Sequence, residues 1–235
     1  MDTGLLGLSA EDWGALAFSL GVSTGAVLLS LPFGLALGWL LARRTFFGKS
    51  AVEACLNLPL VLPPVVTGYL LLLLLGRRGW LGGWLYAAFG LQIAFTPLAA
   101  ALAGAVMGFP LLVRAVRLAF QGIDPRLFQV ARTLGARPLD AFLTVSLPLA
   151  RNGVVAGMVL AFARGLGEFG ATLLFAGSQP GRRTLAVQVY VLHEQPGDAP
   201  EARMWRLALA AVVLACVALA ASEYLERRGA RRESA

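Results

Sequence analysis

The chain has 235 residues, 58% of them hydrophobic and only 14% charged, with a mean hydropathy of +0.73. Soluble domains carry about a quarter charged residues, so the composition excludes a soluble globular protein and predicts an all-α integral membrane protein rather than a barrel of ~10-residue alternating strands. The net charge of +7 comes from nineteen arginines and one lysine; these flank apolar runs, as residues that orient spans do, and nucleic acid is not an expected partner.

Residues 1–14 are expected to form an external segment, with no basic stretch that would mark a cleaved signal peptide. The first predicted span, 15–42, is closed by Arg43, Arg44 and Lys49. The second, 52–75, contains Pro59, Pro63 and Pro64, followed by Thr67 and Gly68. Proline frees carbonyls and kinks helices, and irregular backbone is tolerated in a membrane only inside protein or beside a cavity. Pro63, Pro64, Thr67 and Gly68 are therefore candidate pathway-lining residues, with a plain packing kink as the alternative. Residues 79–113 carry no charge over 35 positions, a length of ~52 Å as one helix and too long for a ~30 Å hydrocarbon core. The stretch divides into 80–92, interfacial or re-entrant with Trp80, Trp84 and Tyr86, and a third span at 97–120.

An amphipathic segment follows. Asp124 and Pro125 form a helix start, N-cap and first helical position. Leu127, Val130, Ala131 and Leu134 recur at helical spacing, with Arg126, Gln129, Arg132 and Arg137 off that stripe. Gly135 is expected to close the helix in the left-handed conformation. Pro138 opens a second short helix, which Pro148 is expected to break before the fourth span at 153–176. The result is a helix–turn–helix at the membrane surface: a plain amphipathic connection on headgroups, or a face for another protein's cleft.

The fourth span carries small residues every four positions, Gly153, Gly157, Ala161 and Gly165. Such a stripe serves close helix packing, within the chain or at a dimer interface. Arg164 lies deep in this span, where a lone arginine costs ~3 kcal/mol or more, and Glu168 is one turn away. The two are read either as a locking pair or as groups that see the pathway. Gly165, Gly167 and Gly170 predict a loosened helix there. Arg182, Arg183 and Arg203 either concentrate anions near the surface or contact headgroups, and His193 is read as a solvated loop residue. The fifth span is 207–224, and 227–235 is a basic tail. Cys55 and Cys216 sit in apolar runs without metal or redox spacing. No metal site or catalytic constellation is expected.

Five spans place the termini on opposite sides. Thirteen Lys and Arg fall on the face holding the 114–151 connection and the tail, against six on the other. That asymmetry predicts an outside N-terminus and a cytoplasmic C-terminus. Two nucleotide motifs are accidental. Gly48-Lys49-Ser50 has Arg43 where a P-loop needs glycine, and the dinucleotide-like run from Gly165 to Gly170 lies in a span with no strand before it. Paired carboxylates for a membrane enzyme, and the repeats of a secondary transporter, are not apparent.

Gln129, Val130, Ala131, Gly135, Val145, Leu147 and Pro148 match the spacing of the cytoplasmic EAA loop of ABC importer permeases: E-A-A, three residues, G, nine residues, I, one residue, L-P. Gln, Val and Val replace the pattern's Glu, first Ala and Ile. Together with LPLVLPPVVTGYLLLLLLG and VLAFARGLGEFGATLLF, the chain resembles the molybdate permease subfamily, and sulfate and tungstate permeases share much of this text. The resemblance implies a type I ABC importer permease domain over 15–226, in the inner membrane of a bacterial or archaeal cell. It also implies a homodimer, two cytoplasmic ATPase subunits that use ATP and Mg, and an external oxyanion-binding protein. The permease itself would bind no cofactor. Arg126, Gln129, Val130, Ala131, Arg132, Leu134, Gly135, Leu147 and Pro148 would form the coupling loop, with Gly135 as its hinge.

Overall fold

The computed structural model of the protein describes residues 8–196 and 198–233; within its last helix the side chains of 198–200, 218, 221, 222 and 225–233 are not described. Every regular element among the described residues is a helix. Helix α1, Ala10–Arg43, starts five residues before the expected span, in a capping box: the Ser9 hydroxyl accepts from Asp12 N–H and the Ser9 N–H donates to the Asp12 carboxylate. Residues 10–14 are therefore its first turns. Its last turn is capped by Lys49, whose Nζ donates to the Leu41 carbonyl at 2.7 Å.

The predicted single span at 52–75 is corrected. Helices α2, Lys49–Val61, and α3, Pro64–Leu75, meet at a 114° bend. Two consecutive prolines account for it. Pro63 forces Leu62 into extended backbone, ψ 141°, and Pro64 then supplies a pre-set first position for a new helix. Helix α4, Trp80–Phe89, is ten residues long, ~15 Å, and cannot cross a bilayer. Trp80, Trp84 and Phe89 are exposed on it, and Arg77 stacks on Tyr86 at 4.3 Å. This fits the interfacial or re-entrant expectation.

Helix α5, Pro97–Gln121, is the most buried span. It runs parallel to α1, since Gly34 meets Leu112 and Gly38 meets Val116. After it come α6, Pro125–Thr133, and α7, Pro138–Ala141. A π-helical turn, Phe142–Ser146, leads into α8, Leu147–Leu166. Pro148 does not break the chain, contrary to expectation: Pro138–Leu166 runs on as one candidate span. The widened turn, with Leu147 N–H donating to the Phe142 carbonyl, absorbs the missing N–H and gives the proline ring room.

Helix α8 returns antiparallel to α5 and ends at Leu166, so the expected span at 153–176 is interrupted at 167–169 before the short α9, Gly170–Phe175. Helix α10, Leu185–His193, occupies part of what the sequence presented as a loop and buries Leu185, Val187, Gln188 and Leu192; His193 is exposed at its end. Helix α11, Asp198–Glu233, covers 207–224, where the fifth span is expected. The backbone of the basic tail continues this helix to Glu233, while its side chains, residues 234–235 and most of the N-terminal segment lie outside the described residues. Among the described residues three helices are long and apolar enough to cross a membrane, and the α2–α3 pair makes a fourth only if its two bent helices are taken as one broken span.

Candidate coupling and pathway sites

The 124–148 segment is built as a rigid clasp. The Asp124 carboxylate accepts from Arg126 N–H at 2.9 Å, capping α6 behind Pro125. At the other end Gly135 takes φ +94°, its N–H donates to the Arg132 carbonyl at 3.2 Å, and Ala136 N–H donates to the Ala131 carbonyl at 3.1 Å. This pair of bonds is a Schellman closure. Arg132 Nη1 adds a bond to the Ala136 carbonyl at 2.7 Å. Asp140 accepts from Arg137 N–H at 3.2 Å and starts α7. Gly135 is therefore a fixed corner in this structure.

One side of the clasp is cemented to the bundle. Trp39 of α1 packs on Phe128 in a tilted pair at 6.2 Å and meets Phe142 edge-on at 5.9 Å, and Phe142 packs on Phe120 at 5.7 Å. Arg43 Nη2 donates to the Ile123 carbonyl at 3.0 Å. The other side is bare. No residue of α6 is fully buried, and Leu127, Val130 and Leu134 are exposed, Leu134 by 82%. Leu139 and Leu143 extend this apolar surface. Arg126, Gln129, Arg132 and Pro148 are exposed too, whereas Ala131 and Leu147 are half-buried.

A second set of candidate residues gathers at the opposite end of α8. Arg164 Nη1 and Glu168 Oε2 pair at 2.7 Å, with Glu168 buried and Arg164 26% exposed. The other Glu168 oxygen accepts from Ala171 N–H at 2.9 Å, so the carboxylate also caps α9. A Cβ at Gly68 would lie 2.6 Å from the Ala171 Cα, and one at Gly170 would lie 3.0 Å from the Val65 N. The α2–α3 bend, with Pro63, Pro64, Thr67 and Gly68, thus rests on the α9 that Glu168 holds. The Thr67 and Ser23 hydroxyls are buried without a hydrogen-bond partner among the described residues, and Ser23 lies beside Gly165.

The small-residue stripe serves packing within the chain. A Cβ at Gly153 would meet Ala119, one at Gly157 would meet Ala115, and Gly108 of α5 abuts Ala161. The sequence reading missed a polar cluster joining α1, α10 and α11. Arg203 holds the fully buried Asp12 through Nε at 3.0 Å and Nη2 at 2.9 Å, and Gln188 donates to Asp12 at 3.4 Å. Arg203 is thereby committed to a buried carboxylate. The signal was the Ser9-x-x-Asp12 capping pattern, which marked the start of α1.

Bent and broken helices around a buried bundle, with a capped surface loop at one end, define a membrane transport subunit. Residues 34–231 match the family described as binding-protein-dependent transport system inner membrane component, and the chain belongs to it. The chain is 51% identical over 221 residues to the molybdenum transport system permease protein ModB of Escherichia coli (strain K12), covering 94% of this chain and 96% of that one. It is 46% identical over 215 residues to the protein of that name from Haemophilus influenzae, covering 91% and 93%. It is also 35% identical over 214 residues to the sulfate transport system permease protein CysW of Synechocystis, covering 91% and 76%. In fold it is similar to a chain of the inward-facing MetNI methionine ABC transporter, with a TM-score of 0.64, 19% identity and 93% and 94% coverage. The fold is that of type I ABC importer permeases.

Proposed function

We propose that the chain is the permease subunit of an ATP-driven molybdate importer, working as a homodimer with two cytoplasmic ATPase subunits and an external binding protein. Full-length likeness to molybdenum permeases, closer than to the sulfate permease above, supports the cargo. The observation that carries the coupling role is the clasp itself. An exposed leucine–valine face on a doubly capped helix, with its back fixed by Trp39, Phe128 and Phe142, suits a lever seated in another protein's cleft.

ATP and Mg belong to the partner subunits. A displacement of α6 is passed through Phe142 to α8. Helix α8 carries it ~30 Å along its twenty residues to Glu168, then to α9 and the α3 bend at Gly68. The pathway opens beside Pro63, Pro64, Thr67 and Gly68, with Arg164 and Glu168 as the gate's fastening. Rigid-body rocking of this kind moves a solute without covalent chemistry at the permease.

Co-purification tests the coupling role. A P-loop ATPase subunit is expected to accompany the wild type and to be lost with Gly135→Pro, which removes the N–H bonded to Arg132 and forbids φ +94°. Full binding and coupling by that variant would remove the loop from its assigned role. For the cargo, ATP hydrolysis by the reconstituted complex with its binding protein should rise more with molybdate than with sulfate or tungstate. A larger rise with either of those would reassign it.

A further inference from the structure

Between the end of α1 and the start of α6 lies a recess of about 280 Å³ lined by Trp39, Arg43, Arg44, Pro125, Phe128 and Gln129. Its charge is one-sided: two guanidinium groups and an amide, with no acidic side chain among the six. The nearby Asp124 carboxylate is occupied in capping Arg126 N–H. Arg43 is half-committed, one nitrogen donating to the Ile123 carbonyl. Among the described residues the exposed Arg44 guanidinium has no hydrogen bond or ion pair, although its carbonyl accepts from Lys49. The position occupied by glutamate in the loop pattern is Gln129 here, so the recess lacks the one carboxylate that would repel an anion.

We propose that this recess seats the phosphodiester headgroup of an anionic phospholipid from the leaflet on the loop side of the membrane, bridging Arg43 and Arg44 to the Gln129 amide. Its position identifies the source. It sits at the end of α1, and Arg44 is followed two residues on by the exposed Phe46 and then by Phe47, whose side chain is wholly exposed, as expected of a loop that dips into lipid. Trp39 and Phe128 line it as a packed aromatic pair, the kind of side chain enriched at headgroup level. Basic pockets between span ends recognise acidic headgroups through such arginine contacts. The lipid would hold α6 to α1 at the root of the lever and make coupling sensitive to membrane composition.

The assignment rests on the placement of α6 at the membrane surface, but its test is separate from capture of the ATPase. The purified permease, carried in micelles with phosphatidylglycerol or phosphatidylcholine, is examined by native mass spectrometry for retained lipid. Phosphatidylglycerol should be retained preferentially, and Arg44→Gln should lower its retention by about fivefold, the effect of one surface arginine. Gln129→Glu, an exposed and isosteric change, should lower it likewise, while Arg78→Gln in the α3–α4 connection should not. Equal retention of both lipids, or retention unchanged in Arg44→Gln and Gln129→Glu, overturns the proposal. Displacement of the lipid by millimolar inorganic phosphate or molybdate also overturns it, making the recess a site for a free oxyanion.

Discussion

Arg164 and Glu168 form a pair whose members are unequally placed, and the inequality makes a prediction. Glu168 is 1% exposed and caps α9, while Arg164 is 26% exposed and long enough to turn its head toward a more polar region. Removing the arginine strands a buried carboxylate; removing the carboxylate leaves an arginine that still has somewhere to go. Breaking a buried pair from one side costs about 3–5 kcal/mol. Arg164→Leu should therefore lower the melting temperature in detergent more than Glu168→Gln does, which keeps an oxygen to accept from Ala171 N–H. The double variant Arg164→Leu, Glu168→Gln should recover part of the loss. Additive losses in that cycle would show that the two side chains do not stabilise one another.

At the scale of elements, legibility followed the range of the interactions. The α6 start at Asp124 and Pro125 and its stop at Gly135 are local chemistry, written within a few residues. Pro63 and Pro64 announced a kink but not its 114° angle, which depends also on how α3 packs against α9, a contact distant in sequence. Pro148 misled, since its strain is relieved by a π turn that no residue type marks. Helix α10 was hidden because Leu185–His193 is too short for a span and rich in valine, and Arg203 pairs with an aspartate 191 residues away. The α3–α9 contact is the element-scale feature most open to test. Gly68→Val places carbon where Ala171 backbone atoms lie at 2.6–3.1 Å, and overpacking costs about 1–3 kcal/mol. Molybdate uptake should fall sharply while the ATPase subunit still co-purifies, because the clasp is at the far end of α8. Ala171→Gly should not restore uptake, since the clash is with backbone and not with the alanine methyl group. Normal uptake by Gly68→Val would detach this contact from the pathway.

For the whole molecule, the parallel run of α1 and α5 and the antiparallel return of α8 put Arg43, Ile123 and the 124–148 clasp at one end, and Phe95, Phe175 and the α9–α10 connection at the other. Orientation is then a single binary choice for the entire bundle, and we propose it from the sequence alone: thirteen Lys and Arg are expected on the face of the 114–151 connection and the tail, against six. Cys55 and Cys216 are both exposed and would confuse labelling, so the test begins with both replaced by alanine. Thr133→Cys then reports the clasp and Gln179→Cys the opposite end, each an exposed position in a permease expressed without its partners. A membrane-impermeant maleimide applied to intact cells should modify Gln179→Cys and leave Thr133→Cys untouched until the inner membrane is permeabilised. The reverse pattern would put the lever on the side that has no ATP, and no ATPase could then grip it.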